Sequence, residues 1–375
     1  MDVNAASAKV RTSAVNTSTV SVSAPAVSVS APGKVNLFLA LGAARPDGYH
    51  PLNTIFAQIG LTETVTVTPL QAPVTTASQP DPTAPVSSAS SAPARADSAP
   101  SATAVPAQPD HAGSVPAASA QPGPALAAQS TPRIELALTR PDSNVPLDST
   151  NLAYRAAQAV AQQAAQRGLG TPDVRILLDK AVPVAGGMAG GSADAAATLK
   201  ACNEFWQVGL SLEELAQLGA QLGADVPFGL YGGVALGTGR GDLIEPLKAA
   251  PGPYHWTFAL QHKGLSTAAV FKHFDATVQA PPEADMPPEQ LLAALEVGDV
   301  AQVSRHIRND LQATAIELRP ELGQLIDLAE RAGALAAMVS GSGPTVAALS
   351  ASRAVAERVA LCWSTSPFCD QVVTG

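Results

Sequence analysis

A glycine-rich stretch at residues 183–193 carries the clearest chemical signal in the sequence. It reads Pro-Val-Ala-Gly-Gly-Met-Ala-Gly-Gly-Ser-Ala and stands between a predicted strand at 174–178 and a predicted helix that begins within 191–194. Glycines let backbone N–H groups approach an anion closely, and the free N–H groups and dipole of a helix start favour phosphate. The stretch therefore predicts a phosphate-binding loop. The alternative is a tight strand-to-helix turn in which the glycines serve packing.

Two familiar phosphate motifs do not fit this stretch. A Walker loop needs Gly-Lys followed by Ser or Thr, whereas residues 190–193 read Gly-Gly-Ser-Ala and contain no lysine. The dinucleotide fingerprint G-x-G-x-x-G cannot be drawn through these residues either. A phosphate held here would depend on backbone donors at the helix start, where Ser192 lies, rather than on a lysine of the loop.

The charge and cysteine content argue against several other functions. The chain has 22 Lys and Arg against 31 Asp and Glu, so its net charge of −9 provides no basic footprint for nucleic acid or an anionic membrane. Three cysteines without C-x-x-C spacing argue against a disulfide framework and a zinc site. No apolar run reaches the roughly 20 residues of a membrane span, and the N-terminus lacks a signal-peptide pattern. We therefore expect a cytoplasmic protein.

Two segments of biased composition are predicted not to pack. Residues 1–25 contain few large apolar side chains and predict a flexible tail. Residues 69–132 are dominated by Pro, Ala, Ser and Gln, with too little apolar surface to offset the entropy of ordering. This block follows a strand pattern at 61–68 and precedes another at 133–138, so it is predicted to be a disordered insertion between two hairpin strands.

The elements that must position the loop are indicated by hydrophobic periodicity. Alternation at 26–30 and again at 35–41 predicts two β-segments joined by a tight bend. The sequence Ser-Leu-Glu-Glu at 211–214 matches a capping box at the start of a helix. Further helices are predicted at 151–166, 288–295, 300–311 and 321–332, and the helix that begins within 191–194 is predicted to end at residue 205. Strands with tight turns are predicted at 229–241, a strand at 256–261 and a glycine turn at 340–343. We place residues 26–245 in one domain and residues 246–375 in a second.

Three segments taken together resemble the motifs of the GHMP kinase superfamily, which includes galactokinase, homoserine kinase and mevalonate kinase. They are Ala-Pro-Gly-Lys-Val-Asn-Leu at 31–37, the loop at 183–193 and Ser-Gly-Ser-Gly at 340–343. Arg-Pro-Asp-Gly-Tyr-His at 45–50 and Leu-Gly-Ala-Asp-Val-Pro at 222–227 narrow the resemblance to the branch whose phosphoryl acceptor is 4-diphosphocytidyl-2-C-methyl-D-erythritol. The resemblance covers about residues 27–349, apart from the block at 69–132.

This resemblance implies an α+β fold with an N-terminal ATP-binding domain and a C-terminal ferredoxin-like α/β domain. The active site would lie in the cleft between them. The implied reaction moves the γ-phosphoryl group of ATP to the 2-hydroxyl of the methylerythritol moiety, giving the 2-phosphate and ADP, in the non-mevalonate pathway of isoprenoid biosynthesis. The partners implied are therefore ATP and the cytidine diphosphate alcohol, with no nucleic acid or membrane, and the protein can be a monomer or a homodimer.

Lys34 and Asp225 match the catalytic lysine and aspartate of the superfamily. An alcohol is a poor nucleophile at neutral pH, so a carboxylate is wanted as general base, and Asp225 fits that role. An ammonium group near it would keep the carboxylate ionised, orient the hydroxyl and offset negative charge, which is the role expected of Lys34. Without the surrounding motifs, Asp225 would be interpreted as a turn aspartate and Lys34 as a solvated lysine at a strand end.

The acceptor pocket is also assigned from the resemblance. Tyr49 and His50 occupy the cytidine-recognition positions, and Phe271, with Thr267 near it in the segment 266–271, resembles a second aromatic wall. Stacking between two rings and hydrogen bonds to the base edge would select cytosine. Asn36 lies two residues after Lys34, on the same face of a strand, and could hydrogen-bond the same substrate. The alternative is that these rings are ordinary core or surface aromatics and that His50 belongs to a turn.

The nucleotide site is assigned to the loop and two further residues. The ATP-binding residues implied are Pro183, Val184, Ala185, Gly186, Gly187, Met188, Ala189, Gly190, Gly191, Ser192, Ala193, Asn151 and Lys180. Mg²⁺ is expected because it neutralises the β- and γ-phosphates. The sequence leaves open whether Ser192 or Asp194 contacts the metal. Two other functions remain open, namely a GHMP kinase with another acceptor, such as homoserine or a mevalonate derivative, and a catalytically silent nucleotide-binding scaffold.

Overall fold

The computed structural model describes residues 25–46, 48–70, 131–184, 187–252 and 254–375. The predicted N-terminal tail lies outside the described residues, apart from its last one. The predicted insertion also lies outside them, apart from its two ends. Both remain predictions from composition.

Eleven strands are found in the described residues. In chain order they are β1 (Val27–Leu41), β2 (Leu52–Pro69), β3 (Ile134–Leu138), β4 (Val174–Asp179), β5 (Val234–Thr238), β6 (Leu243–Pro246), β7 (His255–Leu260), β8 (Arg308–Asn309), β9 (Ala336–Val339), β10 (Val346–Ser350) and β11 (Gln371–Thr374). Seven of them form one sheet along the path β3-β4-β2-β1-β8, with β5 paired to β2 and to β6.

Ten helices cover or flank these strands in the same described parts of the chain. They are α1 (Leu152–Gln166), α2 (Gly190–Phe205), α3 (Leu212–Leu222), α4 (Val226–Tyr231), α5 (Thr267–Thr277), α6 (Glu289–Val297), α7 (Val300–Arg305), α8 (Gln312–Leu318), α9 (Glu321–Arg331) and α10 (Arg353–Ser364). None of the described helices is long and apolar enough to cross a membrane.

The strand β1 corrects one prediction. The two β-segments expected at 26–30 and 35–41 form a single strand of 15 residues, without a tight bend between them. Pairing to β2 continues on both sides of Gly33, with Pro32 opposite Thr62 and Lys34 opposite Gln58, so the irregular sequence is absorbed as a register shift. A second shift lies between Asn36 and Phe38. Such irregularities re-aim side chains, and these two bracket Lys34 and Asn36.

The hairpin predicted across the insertion is wrong. The strand β4 lies between β2 and β3, antiparallel to the first and parallel to the second. Its inward residues Val174, Ile176 and Leu178 are fully buried, so it belongs in the interior of the sheet. Alternation along 61–68 and 133–138 predicted the two strands correctly, but it contains no information on which strand lies beside which.

The helix predicted at 151–166 is confirmed as α1, which Asn151 caps by accepting a hydrogen bond from the Ala153 N–H. Ser211 and Glu214 form the predicted capping box of α3. The helix predicted at 300–311 is wrong beyond residue 305, because α7 ends at Arg305, the short strand β8 follows and α8 begins only at Gln312. In β8, Arg308 and Asn309 pair in parallel with β1. The predicted strands at 229–241 begin only at β5, since α4 occupies the first residues of that region.

The second sheet has the strand order β11-β7-β10-β9, and every neighbouring pair is antiparallel. The strands follow the chain as β7, β9, β10 and β11, with helices α5 to α9 before the second and α10 before the fourth. This is the β-α-β-β-α-β arrangement of ferredoxin-like domains. It confirms the expected α+β class, while the domain boundary at 245–246 stays a prediction.

Two hydrophobic clusters fix the positions of the sheets and of the helices packed on them. One lies between the first sheet and helices α1 and α2, and includes Val65, Ile176 and Leu199. The other joins the two sheets, since Leu37 of β1 packs in the same cluster as Phe258 of β7 and other residues of the second sheet. Because close-packed interiors leave little room for movement, the strand β1, which carries Lys34, is held in a fixed position relative to both sheets.

Candidate active site

A cavity of ≈ 550 Å³ lies between β1, the glycine-rich loop, the start of α2 and the start of α5. This volume is typical of a small-molecule site. Most of the residues predicted for the site line this cavity. They are Lys34, Asn36, Asn151, Lys180, Pro183, Val184, Gly187, Ala189, Gly190, Gly191, Ser192, Asp225, Thr267 and Phe271.

Four described residues of the predicted site are not on the cavity wall. Met188 and Ala193 are buried in hydrophobic clusters, while Tyr49 and His50 lie beside Arg240 and Phe271 of the wall. Two further predicted residues, Ala185 and Gly186, lie outside the described residues. Most of the described loop residues therefore line the cavity, while Met188 anchors the loop in the core.

Lys34 and Asp225 meet on the wall of this cavity. The Lys34 Nζ atom lies 3.4 Å from Asp225 Oδ2 and donates a 2.8 Å hydrogen bond to Asn36 Oδ1. It also stands 5.4 Å from the centre of the Phe56 ring, a cation–π distance. The lysine is buried, so its charge is little screened by solvent and acts strongly on the carboxylate beside it.

A short hydrogen-bond chain fixes the lysine. Asn36 accepts from Lys34 through Oδ1 and donates through Nδ2 to Thr54 Oγ1 at 2.8 Å, and Thr54 in turn donates to the Phe38 carbonyl at 2.6 Å. The polar atoms of Asn36 are thus engaged with the protein. Its substrate contact stays a prediction, and its role in the described structure is to orient Lys34. Thr54 was not found from the sequence.

Asp225 occupies the N-cap position of α4, two residues beyond the C-cap of α3. Its side chain does not cap that helix, so the carboxylate remains directed to Lys34 and the cavity. Pro227 within the first turn of α4 suits a helix start, because proline there loses no helical hydrogen bond. An aspartate at an N-cap commonly accepts a hydrogen bond from a backbone N–H of the first helical turn. Asp225 makes no such bond, so its carboxylate is available for chemistry.

The glycine-rich loop passes directly over Lys34. The Lys34 N–H donates to the Met188 carbonyl at 3.0 Å, and Ser340 Oγ donates to the Gly187 carbonyl at 3.3 Å. Gly187 has φ +65°, and a Cβ there would lie 2.8 Å from the Ser340 carbonyl oxygen. The two predicted glycine segments are therefore in contact, and the contact requires a glycine at this position.

The start of α2 offers donors to an anion. Ala189 precedes the helix in the left-handed region, with φ 60°, and no side chain caps the first turn. The N–H groups of the first helical residues, which line the cavity, have no partner within the helix, and the helix dipole adds positive potential. The arrangement is suited to phosphate.

Lys180 belongs to a buried cluster with two carboxylates. Its Nζ donates to Glu63 Oε1 at 2.6 Å and to Asp194 Oδ2, and the Ala181 N–H donates to Glu63 Oε2 at 3.0 Å. Asp194 Oδ1 is buried without a hydrogen-bond partner. Two acids sharing one ammonium away from water are best stabilised when one acid keeps its proton.

The pKa values of the cluster follow from this arrangement. Burial raises the pKa of Asp194 to about 7, with Glu63 adding to the rise and Lys180 opposing it. Burial likewise raises the pKa of Glu63 against the effect of Lys180. Burial alone would lower the pKa of Lys180, but Asp194 and Glu63 outweigh it and the pKa is raised. Lys180 is therefore a cation paired with Glu63 and Asp194. Its predicted contact with ATP stays a prediction.

Glu63 was missed from the sequence although a signal was present. In the alternating strand β2 it occupies the same face as Val65 and Val67, which is the buried face. A carboxylate in a series of inward β-branched residues needs a buried partner, and Lys180 is that partner. Asn151, by contrast, is held at the helix N-cap and donates to the Pro146 carbonyl at 2.6 Å, so part of its role is structural.

The aromatic residues predicted for the acceptor lie at the other end of the cavity. The His50 ring is 5.2 Å from Phe271 and 5.9 Å from Phe274, and its Nδ1 and Nε2 atoms face the Gly42 carbonyl at 2.8 Å and Asp275 Oδ1 at 3.1 Å. Tyr49 is exposed and has the guanidinium of Arg240 at 5.5 Å from its ring centre. Thr267 Oγ1 is 2.9 Å from Ser342 Oγ of the glycine turn at 340–343.

Comparison with protein-family models gives two matches. The GHMP kinases N terminal domain matches residues 151–233, which include the loop, α2 and Asp225. The GHMP kinases C terminal domain matches residues 291–368, which include the glycine turn and strands β9 and β10 of the second sheet. The fold and the paired lysine and aspartate beside a glycine-rich loop therefore define a small-molecule kinase of the GHMP type.

Similar curated proteins narrow the class. The chain is 40% identical over 330 residues to "4-diphosphocytidyl-2-C-methyl-D-erythritol kinase" of Rhodococcus jostii, covering 88% of this chain and 85% of that protein. It is 39% identical over 348 residues to the protein of the same name from Streptomyces coelicolor, covering 92% and 94%, and 40% identical over 345 residues to that from Thermobifida fusca, covering 92% and 93%. The chain belongs to the family of 4-diphosphocytidyl-2-C-methyl-D-erythritol kinases.

Solved structures agree with this placement. A crystal structure of 4-(cytidine 5'-diphospho)-2C-methyl-D-erythritol kinase is similar with a TM-score of 0.62 and 26% identity, over 93% of this chain and 98% of that one. Homoserine kinase from Cytophaga hutchinsonii has a TM-score of 0.58 at 16% identity, over 93% of each chain. At that identity the second likeness shows the fold alone.

Proposed function

We propose that this protein transfers the γ-phosphoryl group of ATP to the 2-hydroxyl of 4-diphosphocytidyl-2-C-methyl-D-erythritol, giving the 2-phosphate and ADP. The reaction is a step of the non-mevalonate pathway to isoprenoid precursors. The observation that carries the proposal is the pair of Lys34 and Asp225, 3.4 Å apart on the wall of a cavity whose other side is the glycine-rich loop. The names of relatives about 40% identical to the chain support this choice of acceptor.

Asp225 is suited to act as the general base. As the acceptor oxygen forms its bond to the γ-phosphorus, the bond from that phosphorus to the β-γ bridging oxygen breaks, and ADP departs. The hydroxyl proton passes to the Asp225 carboxylate, which is partly exposed toward the cavity. The buried Lys34 offsets negative charge on the reacting oxygens, and its hydrogen bond to Asn36 holds it in position.

The start of α2 is suited to hold the nucleotide phosphates. Its N–H groups and dipole supply positive potential without a lysine in the loop, and the contact between Gly187 and Ser340 fixes the loop. Because such donors are already oriented before the substrate binds, they need little reorganisation during the reaction.

Two residues beside the N–H donors at the start of α2 are suited to bind Mg²⁺. Asp194 Oδ1 is buried without a hydrogen-bond partner, and both Asp194 and Ser192 line the cavity. Oxygen ligands of this kind suit Mg²⁺, which takes few protein ligands beside water and phosphate oxygens. These two residues would hold the ion, which when bound neutralises charge on the β- and γ-phosphates.

The acceptor's base is assigned to the end of the cavity where Phe271 lines the wall, with Tyr49 and His50 beside wall residues. The Phe271 ring provides a stacking surface, and the exposed Tyr49 ring lies 5.5 Å from the guanidinium of Arg240, another residue of the wall. The buried His50 is fixed between the Gly42 carbonyl and Asp275 and so gives this end a defined shape.

The test is an ADP-release assay with Mg-ATP and three separate acceptors: the cytidine diphosphate alcohol, homoserine and mevalonate. We expect turnover with the first alone. Turnover with homoserine or mevalonate and none with the first would overturn the proposed acceptor in favour of another GHMP kinase activity. If the folded protein binds ATP but releases no ADP with any of the three, the result favours a catalytically silent nucleotide-binding protein.

A further inference from the structure

Arg240 is a cation of the cavity wall that the catalytic steps above do not use. It lies in the turn between β5 and β6, flanked by Gly239 with φ +72° and Gly241 with φ +91°. The Gly239 carbonyl accepts from the Leu52 N–H at 3.0 Å, and the Gly241 N–H donates to the Thr238 carbonyl at 2.9 Å. The turn is thus fixed to the sheet, and Arg240 is presented from a rigid support.

Asp242 holds the guanidinium group in one orientation. Arg240 donates to Asp242 Oδ2 from Nε at 3.0 Å and from Nη2 at 2.6 Å, while Asp242 Oδ1 accepts from the Arg240 backbone N–H at 3.1 Å. The neighbouring carboxylate raises the pKa of Arg240, and the hydrogen bonds from Arg240 outweigh burial and lower the pKa of Asp242. Both groups therefore remain charged, and the arginine is ordered before any ligand arrives.

Arg240 contacts a residue assigned to the base and the helix that leads to the catalytic aspartate. Its guanidinium lies 5.5 Å from the ring centre of Tyr49, and its Nη2 donates at 3.2 Å to the carbonyl of Ala220 in α3, the helix that precedes Asp225. Arg240 lines the same cavity as Phe271, which is assigned to the base, and Asp225. In a cytidine diphosphate alcohol, the diphosphate joins the base to the part that carries the reacting hydroxyl.

The charges on the cavity wall favour Arg240 as the group that binds this diphosphate. Among the described residues that line the cavity, the lysines and arginines are Lys34, Lys180 and Arg240. Lys180 is held by two carboxylates, and Lys34 is buried against Asp225 and Asn36. The Arg240 side chain keeps 43% of its surface exposed and has a single carboxylate partner. A planar guanidinium is well matched to phosphate oxygens.

We propose that Arg240 is a specificity-determining residue that binds the diphosphate of the acceptor, with Asp242 as its positioning residue. This inference rests on the proposed function. It explains how an acidic protein can bind an acceptor with a dianionic bridge, since the cation is supplied at one point between the base and the reacting hydroxyl. With a net charge of −9, the protein offers no general positive field to attract this diphosphate, so a cation placed beside it would favour binding.

The first test is steady-state kinetics of the full chain with Mg-ATP and the cytidine diphosphate alcohol. Arg240→Met should raise the KM of the acceptor by about 10- to 100-fold, as expected for loss of a charged hydrogen bond, with the KM of ATP unchanged. Arg240→Lys should fall between Arg240→Met and the wild type, because it keeps the charge but not the planar fork. Asp242→Asn should raise the acceptor KM less than Arg240→Met does. An acceptor KM unchanged in Arg240→Met, in a wild type that turns over, overturns the assignment.

The second test does not need turnover and separates phosphate binding from support of the Tyr49 ring. Calorimetry should show that the wild type binds CDP about 10-fold or more tightly than CMP, and that Arg240→Met loses this preference. If the substitution weakens cytidine, CMP and CDP equally, Arg240 acts through Tyr49 and the diphosphate assignment is wrong. A wild type that releases no ADP with this acceptor contradicts the proposed function, while the CDP-to-CMP comparison still tests Arg240.

Discussion

The Lys34 ammonium lies 3.4 Å from the Asp225 carboxylate, and the two side chains differ sharply in exposure, at 7% and 34%. The lysine is therefore fixed and dry, while the aspartate keeps a face open to the cavity. This division suits an electrostatic group and a proton acceptor, respectively. It predicts that substitution of either residue lowers kcat, but for a different physical reason.

Asp225→Asn should lower kcat by about 10²-fold or more and leave the KM of ATP nearly unchanged, because it removes a general base and preserves shape. Steady-state kinetics with the cytidine diphosphate alcohol would measure both constants. Lys34→Met should also lower kcat, but it leaves Asp225 without its neighbouring cation and Asn36 without its donor. A normal kcat for Asp225→Asn would remove Asp225 from the mechanism.

The glycines of the loop should separate into two kinds when each is changed to alanine. Gly187→Ala should lower the free energy of unfolding by about 1–3 kcal/mol and raise the KM of ATP, because φ is +65° and the new Cβ would lie 2.8 Å from the Ser340 carbonyl oxygen. The measurements are urea unfolding and steady-state kinetics. A variant as stable as the wild type would show that the Ser340 contact does not constrain the loop.

Gly191→Ala is the matched control within the same loop. At Gly191 a Cβ would meet no atom closer than 3.9 Å, so the free energy of unfolding should not fall. If phosphate approaches this helix start as closely as proposed, the KM of ATP should nevertheless rise, since the added methyl group would lie in the path of the ligand. An unchanged KM of ATP in Gly191→Ala would place the phosphates away from Gly191.

Local signals in the sequence predicted the parts of the site that lie close together along the chain. Lys34 and Asn36 were expected on one face of a strand because of the two-residue period, and their hydrogen bond shows that they share that face. The capping box of α3 was also predicted, because its signal is contained within four residues.

Relations between distant segments could not be predicted in the same way. The alternation along β2 does not say that β4 will be its neighbour, and no spacing rule brings Glu63 to Lys180 or Asp275 to His50. The helix predicted at 300–311 failed for the same reason, since pairing of β8 with β1 outweighed local helix preference. Lys34, Asp225 and the loop were assigned together only through the family resemblance.

Asp194→Asn should change how stability depends on pH. Because the pKa of Asp194 is raised to about 7 in the folded state, its stabilising contribution is present below about pH 4 and is lost as the pH rises through about 7. The variant cannot ionise at this position. The free energy of unfolding of the variant should therefore increase relative to that of the wild type between about pH 4 and pH 7. The increase should be on the order of a few kcal/mol.

Urea unfolding of both proteins at several pH values would measure this difference. Glu63 acts in the same direction, because its pKa is raised as well and removal of the Asp194 charge relieves repulsion between the two carboxylates. Above about pH 7 the difference between the two proteins should be constant. Parallel stability curves across the whole range would mean that the pKa of Asp194 is not raised on folding and that the cluster does not share a proton.

Asp275→Asn should weaken the hold on the His50 ring. The Gly42 carbonyl lies 2.8 Å from His50 Nδ1, and Asp275 Oδ1 lies 3.1 Å from His50 Nε2. Asparagine keeps the size of the side chain but removes the carboxylate that faces Nε2, and steady-state kinetics with the cytidine diphosphate alcohol would measure the effect. The KM of the acceptor should rise while kcat changes little, because the base end of the site is affected and the reacting end is not.

The matched control for Asp275→Asn is Glu317→Gln. It removes the carboxylate partner of His273, which is also on α5 but does not line the cavity, with Nε2 2.9 Å from Glu317 Oε2. This variant should have normal kinetic constants. A normal acceptor KM in Asp275→Asn would show that the contact between His50 and Asp275 does not matter for the acceptor.

Replacement of residues 71–130 by a short linker should preserve the enzyme. The two described ends of this segment meet at one residue, since the Leu70 N–H donates to the Asp173 carbonyl at 2.9 Å and the Arg133 N–H donates to Asp173 Oδ1 at 2.8 Å. The strands β2 and β3 are separated only by β4, so about 10 Å must be bridged, and about six Gly and Ser residues are long enough.

We expect the kinetic constants of this variant to stay within about twofold of the wild type, because the described residues that line the cavity belong to other segments and a loop-length change costs little entropy. A control that carries a scrambled sequence of the same length and composition between Leu70 and Thr131 would behave in the same way. If the short linker gives a folded protein with lost activity and the scrambled control is also inactive, the order of residues in the segment contributes to catalysis. Loss with the short linker alone would instead mean that its length is required.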